Sequence, residues 1–179
     1  YILRAGSKDL GATTLEGSRN GMAMMVYASL HIFGRQGYEL LINQSIEKAK
    51  TFASMIQSHP DFELITSPTL SLLTYRMNPE DVQTKMKIQP KIGHALNMEL
   101  DNLTVSVQKQ QREAGKSFVS RTRLTTEKYP NQAITVFRVV LANPLTTETD
   151  LQNILDEQIA IASKTKMWKK LCFKHKKAS

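Results

Sequence analysis

Between residues 20 and 33 nearly every side chain is apolar: Met22, Ala23, Met24, Met25, Val26, Tyr27, Ala28, Leu30, Ile32 and Phe33. Alanine, methionine and leucine favour helix, and a helix that is apolar all round must be covered all round. A chain of 179 residues can build one domain with a core, or a small domain with an appendage. It has little left over to wrap such a helix. The stretch therefore predicts a cover supplied by another domain or another subunit. It is too short to span a bilayer, and no segment has the layout of a secretion signal.

Charge and cysteine usage narrow the classes further. The net charge is +8, but seven lysines and no acid fall in residues 164–179, which leaves +1 for residues 1–163. The body is nearly neutral and the basicity belongs to a tail. A basic tail can bind nucleic acid or anionic lipid, or simply be a solvated terminus. No zinc, RNA-binding or helix-turn-helix signature supports the first use, so neither nucleic acid nor membrane is expected as a partner. A single cysteine, Cys172, rules out a disulfide framework within the chain and makes a reducing, cytoplasmic setting the expectation. The first residue is Tyr1 and the chain opens in mid-element, which suggests a fragment or a processed product.

The hydrophobic period predicts the elements. Gly34 and Gly37 punctuate the chain after the apolar stretch. A second helix is expected over residues 38–57, where Leu41, Ile42, Ser45, Ala49, Phe52, Ala53 and Ile56 share one face. His59-Pro60-Asp61 ends it. Residues 62–65 and 70–77 read as a β-hairpin turning at Ser67-Pro68. Asn78-Pro79-Glu80 starts helical pattern that runs to about Glu113, is broken near Pro90, and is terminated by Ala114-Gly115. Residues 118–124 and 133–142 read as strands, with Tyr129-Pro130-Asn131 in the loop between them. Thr147 and Asp150 have capping-box spacing ahead of a last helix. The expected fold class is α+β: about four mainly antiparallel strands with helices on one face, preceded by two helices.

Four segments carry a family resemblance: TLEGSRNG (14–21), FGRQGYELLINQSIEKAKTFASMIQSHPDFELITSPTLSLLTYR (33–76), QREAGKSFVSRT (111–122) and FRVVLANPLTTETDL (137–151). Together and in this order they resemble the group II pyridoxal-phosphate (PLP)-dependent amino-acid decarboxylases. QREAGKSFVSRT is similar to the bacterial aspartate and diaminobutyrate branch. The resemblance implies a fold-type I homodimer, with residues 1–58 ending the large PLP-binding domain, 59–163 forming the C-terminal small domain and 164–179 a basic tail. It implies PLP as cofactor, an amino-acid substrate (acidic or diamino), and the missing large domain or the partner subunit as the cover of the apolar helix. PLP chemistry needs a lysine amine to hold the cofactor and a carboxylate on the pyridine nitrogen. Lys176 follows His175 but lies in a lysine run, and Lys116 sits at a helix-to-strand join. Neither fits the anchoring role, so the chain alone is expected to be inactive.

The same resemblance assigns site residues. Gly17, Ser18 and Arg19 form a turn before a helix, where backbone N–H groups and a hydroxyl can bind phosphate. By resemblance they approach the PLP phosphate, while Ser18 as a simple helix cap remains open. Arg138 lies by strand period on one face with Ile134, Val136 and Val140. By resemblance it contacts the substrate carboxylate; a structural ion pair with a neighbouring acid is the other reading. His31 is expected to be buried and hydrogen-bonded, and His59 and His94 to lie at the surface or in caps. The histidines and Cys172 show no metal-ligand spacing. Two rival functions stand beside the decarboxylase: a non-catalytic interaction module of the same fold, and anionic-partner binding through the lysine tail.

Overall fold

The computed structural model describes residues 20–89 and 92–172. The chain divides into two compact units, Tyr1–Leu40 and Leu41–Ser179. In the first unit, helix α1 (Met22–Ser58) begins and is interrupted at Gly34, whose φ of 60° and ψ of −174° are not helical. That conformation lies in the region glycine reaches without a Cβ penalty. Gly37 stays helical, so one glycine, not two, breaks the helix. Met24, Tyr27 and Ile32 are 75%, 65% and 78% exposed. His31 is exposed too, packed beside the Tyr27 ring at 4.2 Å, and not buried as its apolar surroundings led us to expect.

The second unit is built on a four-stranded antiparallel sheet of order β1-β2-β4-β3. Its strands are β1 (Phe62–Thr69), β2 (Leu72–Met77), β3 (Ser120–Thr126) and β4 (Tyr129–Val140). β1 and β2 form the expected hairpin, but it turns at Leu70 and Ser71, and Ser67-Pro68, expected as the turn, lies within β1. β1 is an edge strand, which is where Pro68 can be tolerated. Two register irregularities interrupt its pairing with β2. β4 starts earlier than its apolar run suggests and takes in Tyr129, Pro130 and Asn131. The turn expected there contracts to Glu127 and Lys128, and Asn131 takes a positive φ of 64° inside the strand.

Helices α2 (Glu80–Ile88) and α3 (Gly93–Ala114) follow the hairpin. Gly115 caps α3 in the left-handed conformation, φ 69°, with its N–H on the Gln111 carbonyl. Helix α4 (Glu148–Ser163) opens with the expected capping box between Thr147 and Asp150. These helices pack on one face of the sheet. Phe52 and Ile56 of α1, Leu100 and Leu103 of α3, and Leu151 and Leu155 of α4 join Leu73, Tyr75, Phe137 and Val139 in one core. Tyr75 is its centre, with ring centroids 5.5 Å from Phe52, 5.8 Å from Phe62 and 5.1 Å from Phe137. Its buried hydroxyl donates to Gln158, which donates to Gln111, so the phenol meets no unpaired polar group.

The second compact unit begins at Leu41, and Ala49, Phe52, Ala53 and Ile56 of α1 are core residues with the sheet. At the other end, residues 166–171 form helix α5 (Lys166–Leu171) instead of a solvated tail. Trp168 and Leu171 are buried in the same core, while Lys169 and Lys170 point outward.

Candidate functional site: the sheet face opposite the helices

Strand geometry alternates side chains between the two faces of a sheet. Leu73, Tyr75 and Met77, with Phe137 and Val139, face the helices. Leu72, Thr74 and Arg76 of β2 therefore share the opposite face with Arg138 and Val140 of β4. The register assembles this face in rows. Leu72 pairs with Val140, and both are exposed apolar residues. The next row crosses all four strands: Thr66 pairs with Thr74, Thr74 with Arg138, and Arg138 with Ser120. The third row contains the pair Glu63 and Arg76.

Arg138 is exposed. Among the described residues its guanidinium makes no ion pair, so the structural-pair reading finds no partner there. Its backbone is fixed: the Ser120 hydroxyl donates to the Arg138 carbonyl at 2.8 Å. A planar fork of donors on a rigid central strand can hold a carboxylate with two hydrogen bonds. Gly17, Ser18 and Arg19 lie outside the described residues. The structure thus gives the surroundings of Arg138 and leaves the phosphate-binding expectation as an expectation.

The third row is a charged cluster that sequence reasoning did not single out. Arg76 is fully buried and donates through Nε to Glu63 at 2.9 Å and through Nη1 to Asn97 of α3 at 2.9 Å. Asn78 donates to the same Glu63 oxygen at 2.8 Å, and Lys128 and the Tyr129 hydroxyl reach the other. The Tyr129 ring lies 4.4 Å from the Arg76 guanidinium carbon. Burial pushes the Glu63 carboxyl up, but Arg76, Lys128 and Tyr129 outweigh it and hold the group below its ordinary value. Burial also raises the Tyr129 phenol, so it remains a neutral donor to Glu63. Arg76 Nη2 and Asn78 Oδ1 are buried without a partner. Only one signal for this cluster exists in the sequence, an acid and an arginine on opposite arms of a hairpin.

Other candidates are quieter. His59 accepts the Asp61 N–H at 3.1 Å in the turn after α1. Lys116 is exposed just beyond the Gly115 cap, and Lys176 lies outside the described residues. Among the described residues no group of His, Cys, Asp or Glu could hold a metal ion. No described helix is long and apolar enough to cross a membrane.

Residues 2–78 match the pyridoxal-dependent decarboxylase conserved domain. The chain is 60% identical over 170 residues to aspartate 1-decarboxylase of Aliivibrio fischeri, covering 93% of this chain and 31% of that protein. It therefore spans about a third of the relative's length. The fold is similar to the crystal structure of mouse CSAD, with a TM-score of 0.70 at 19% identity over 88% of this chain and 30% of that one. It is also similar to the glutamate decarboxylase domain of diaminobutyrate-pyruvate transaminase and L-2,4-diaminobutyrate decarboxylase from Vibrio parahaemolyticus. There the TM-score is 0.65 at 17% identity, over 87% of this chain and 29% of that one. These distant likenesses establish a shared fold and support the α+β expectation.

Pyridoxal phosphate is the cofactor of this family. A covalent anchor for it requires a lysine amine, and its chemistry a separate carboxylate on the pyridine nitrogen. None of the described lysines is buried. Arg138 instead offers an unpaired cation suited to an anionic group of a ligand. By its matched segment and its identity to the Aliivibrio fischeri protein, the chain is similar to the pyridoxal-dependent decarboxylases over about a third of that relative's length.

Proposed function

We propose that this chain is the C-terminal part of a cytoplasmic L-amino-acid α-decarboxylase that converts an acidic amino acid to an amine and CO2. The identity to an aspartate 1-decarboxylase supports an acidic over a diamino substrate. Bound pyridoxal phosphate supplies a sink for the electrons left on the α-carbon as CO2 departs. The observation that carries the chain's own role is Arg138: exposed, on a central strand, with no acid among the described residues paired to it. Its fork fixes the substrate carboxylate, and so orients the bond to be broken, an effect of positioning on rate. Gly17, Ser18 and Arg19 would hold the cofactor phosphate, as the resemblance implies. The exposed apolar residues of α1 support a cover made by the large domain of the same protein or by the second subunit of a homodimer. The chain by itself would lack activity.

The test is Arg138→Lys in the full-length protein, loaded with cofactor. A lysine keeps the charge but not the fork. Fold and cofactor absorbance should be retained while most of the activity is lost. Turnover like that of the parent enzyme, with normal cofactor absorbance, would show Arg138 to be structural.

A further inference from the structure

The row that contains Arg138 holds a second donor with nothing to bond among the described residues. Thr66 Oγ1 and Thr74 Oγ1 are 2.8 Å apart, and Thr66 Oγ1 also accepts the Thr74 backbone N–H at 3.0 Å. The pair owns two hydroxyl protons, and only one is used between the two oxygens. Burial decides which. Thr74 is 3% exposed, so leaving its proton unbonded would carry the cost of a buried unsatisfied donor. Thr66 is half-buried. The lower-energy arrangement has Thr74 donating to Thr66, whose oxygen has two lone pairs and accepts both bonds. The proton on Thr66 is then the free one, and no described residue accepts it.

Counting along the row gives a surplus of donors. The Ser120 hydroxyl is spent on the Arg138 carbonyl. The Thr66 proton and the Arg138 guanidinium have no acceptor among the described residues. The acid in the neighbouring row, Glu63, already accepts from Arg76, Asn78, Lys128 and Tyr129 and is not available to either. A row of this kind is complementary to a ligand that brings acceptors at two places. Thr66 and Arg138 stand two strands apart, roughly 10 Å between backbones. The long arginine side chain can close part of that gap across Thr74.

We propose that Thr66 is a specificity-determining donor. Its hydroxyl takes the second carboxylate of a short dicarboxylate whose first carboxylate is held by Arg138. This inference rests on the reading of Arg138 as the carboxylate-binding residue. It names a chain-intrinsic reason for preferring an acidic substrate over a neutral one.

The experiment titrates the 179-residue chain with succinate, and separately with acetate, following backbone amide resonances of Thr66, Thr74 and Arg138 by NMR. Succinate should bind saturably and more tightly than acetate. Thr66→Val should lower succinate affinity roughly tenfold, the worth of one hydrogen bond to a charged group, and leave acetate affinity unchanged. That unchanged arm also shows that the variant is folded. Thr66→Ser should restore the preference. Loss of succinate binding in Arg138→Gln, with an unaltered succinate-to-acetate ratio in Thr66→Val, would overturn this inference alone. Undiminished succinate binding in Arg138→Gln would overturn the reading of Arg138 and this inference together. Absence of saturable binding by either anion would show that the row is not a site.

Discussion

Replacing Arg76 by methionine tests the charged cluster most directly. The Arg76 side chain is fully buried and that of Glu63 is 7% exposed. Methionine fills much of the same volume but deletes the 2.9 Å bonds to Glu63 and Asn97 and the contact with the Tyr129 ring. Glu63 would keep Lys128, whose side chain is 67% exposed and therefore compensates a buried charge poorly. Removing one partner of a buried pair costs about 3–5 kcal/mol, a large share of the roughly 5–15 kcal/mol available to a domain. With a urea slope of about 2 kcal/mol/M, the midpoint should fall by about 2 M. Trp168 is the single tryptophan and is buried, so its fluorescence reports unfolding of the sheet domain. The double variant Glu63→Gln with Arg76→Met leaves no orphaned charge. It should be less destabilised than the sum of the two single changes, with a coupling of about 1–3 kcal/mol. A loss below about 1 kcal/mol in Arg76→Met, or purely additive singles, would refute the argument that this pair is buried and mutually compensating.

Acid should weaken the wild-type chain through the same carboxylate. The Glu63 value in the folded chain is lowered from its ordinary 4.5. The stability it contributes is therefore fully present above pH 4.5 and is lost as pH falls through the depressed folded value. Glu63→Gln should flatten the acid limb of a urea-midpoint profile, and an unchanged limb would count against the cluster as its source. Burial, helped by Asp61 and Asp81, pushes the Cys172 thiol up to about 11 from 9.0. At pH 8 its thiolate fraction is then about a hundredfold smaller than in the unfolded chain. Reaction with a disulfide reagent should be correspondingly slow until urea is added; equal rates would mean that α5 does not seat its last turn in the core.

The sequence alone determined whatever is local or periodic. Spacings of three and four placed the buried faces of α3 and α4. Thr147 and Asp150 announced their capping box, and Gly115 announced a left-handed cap, because these depend on side chains a few residues apart. Alternation placed Arg138 on the face away from Phe137 and Val139. The order of four segments carried the resemblance to the decarboxylases. What the sequence could not give is register and docking. An unbulged hairpin closed by the Thr69 and Leu72 pair would set Arg76 against Ile65. Two irregularities in β1 move its partner to Glu63; Pro68 lies inside the one between Thr66 and Thr69, and the other leaves no sequence mark. Asn131 reads as a turn residue, yet it enters β4 with a positive φ because pairing with β3 continues past it. The lysines of residues 164–179 hid Trp168 and Leu171, whose burial against the rest of the core outweighs the local charge. Tertiary structure decided these points because strand pairing and core docking join residues far apart in the chain. Their energies are set by partners that no local window contains.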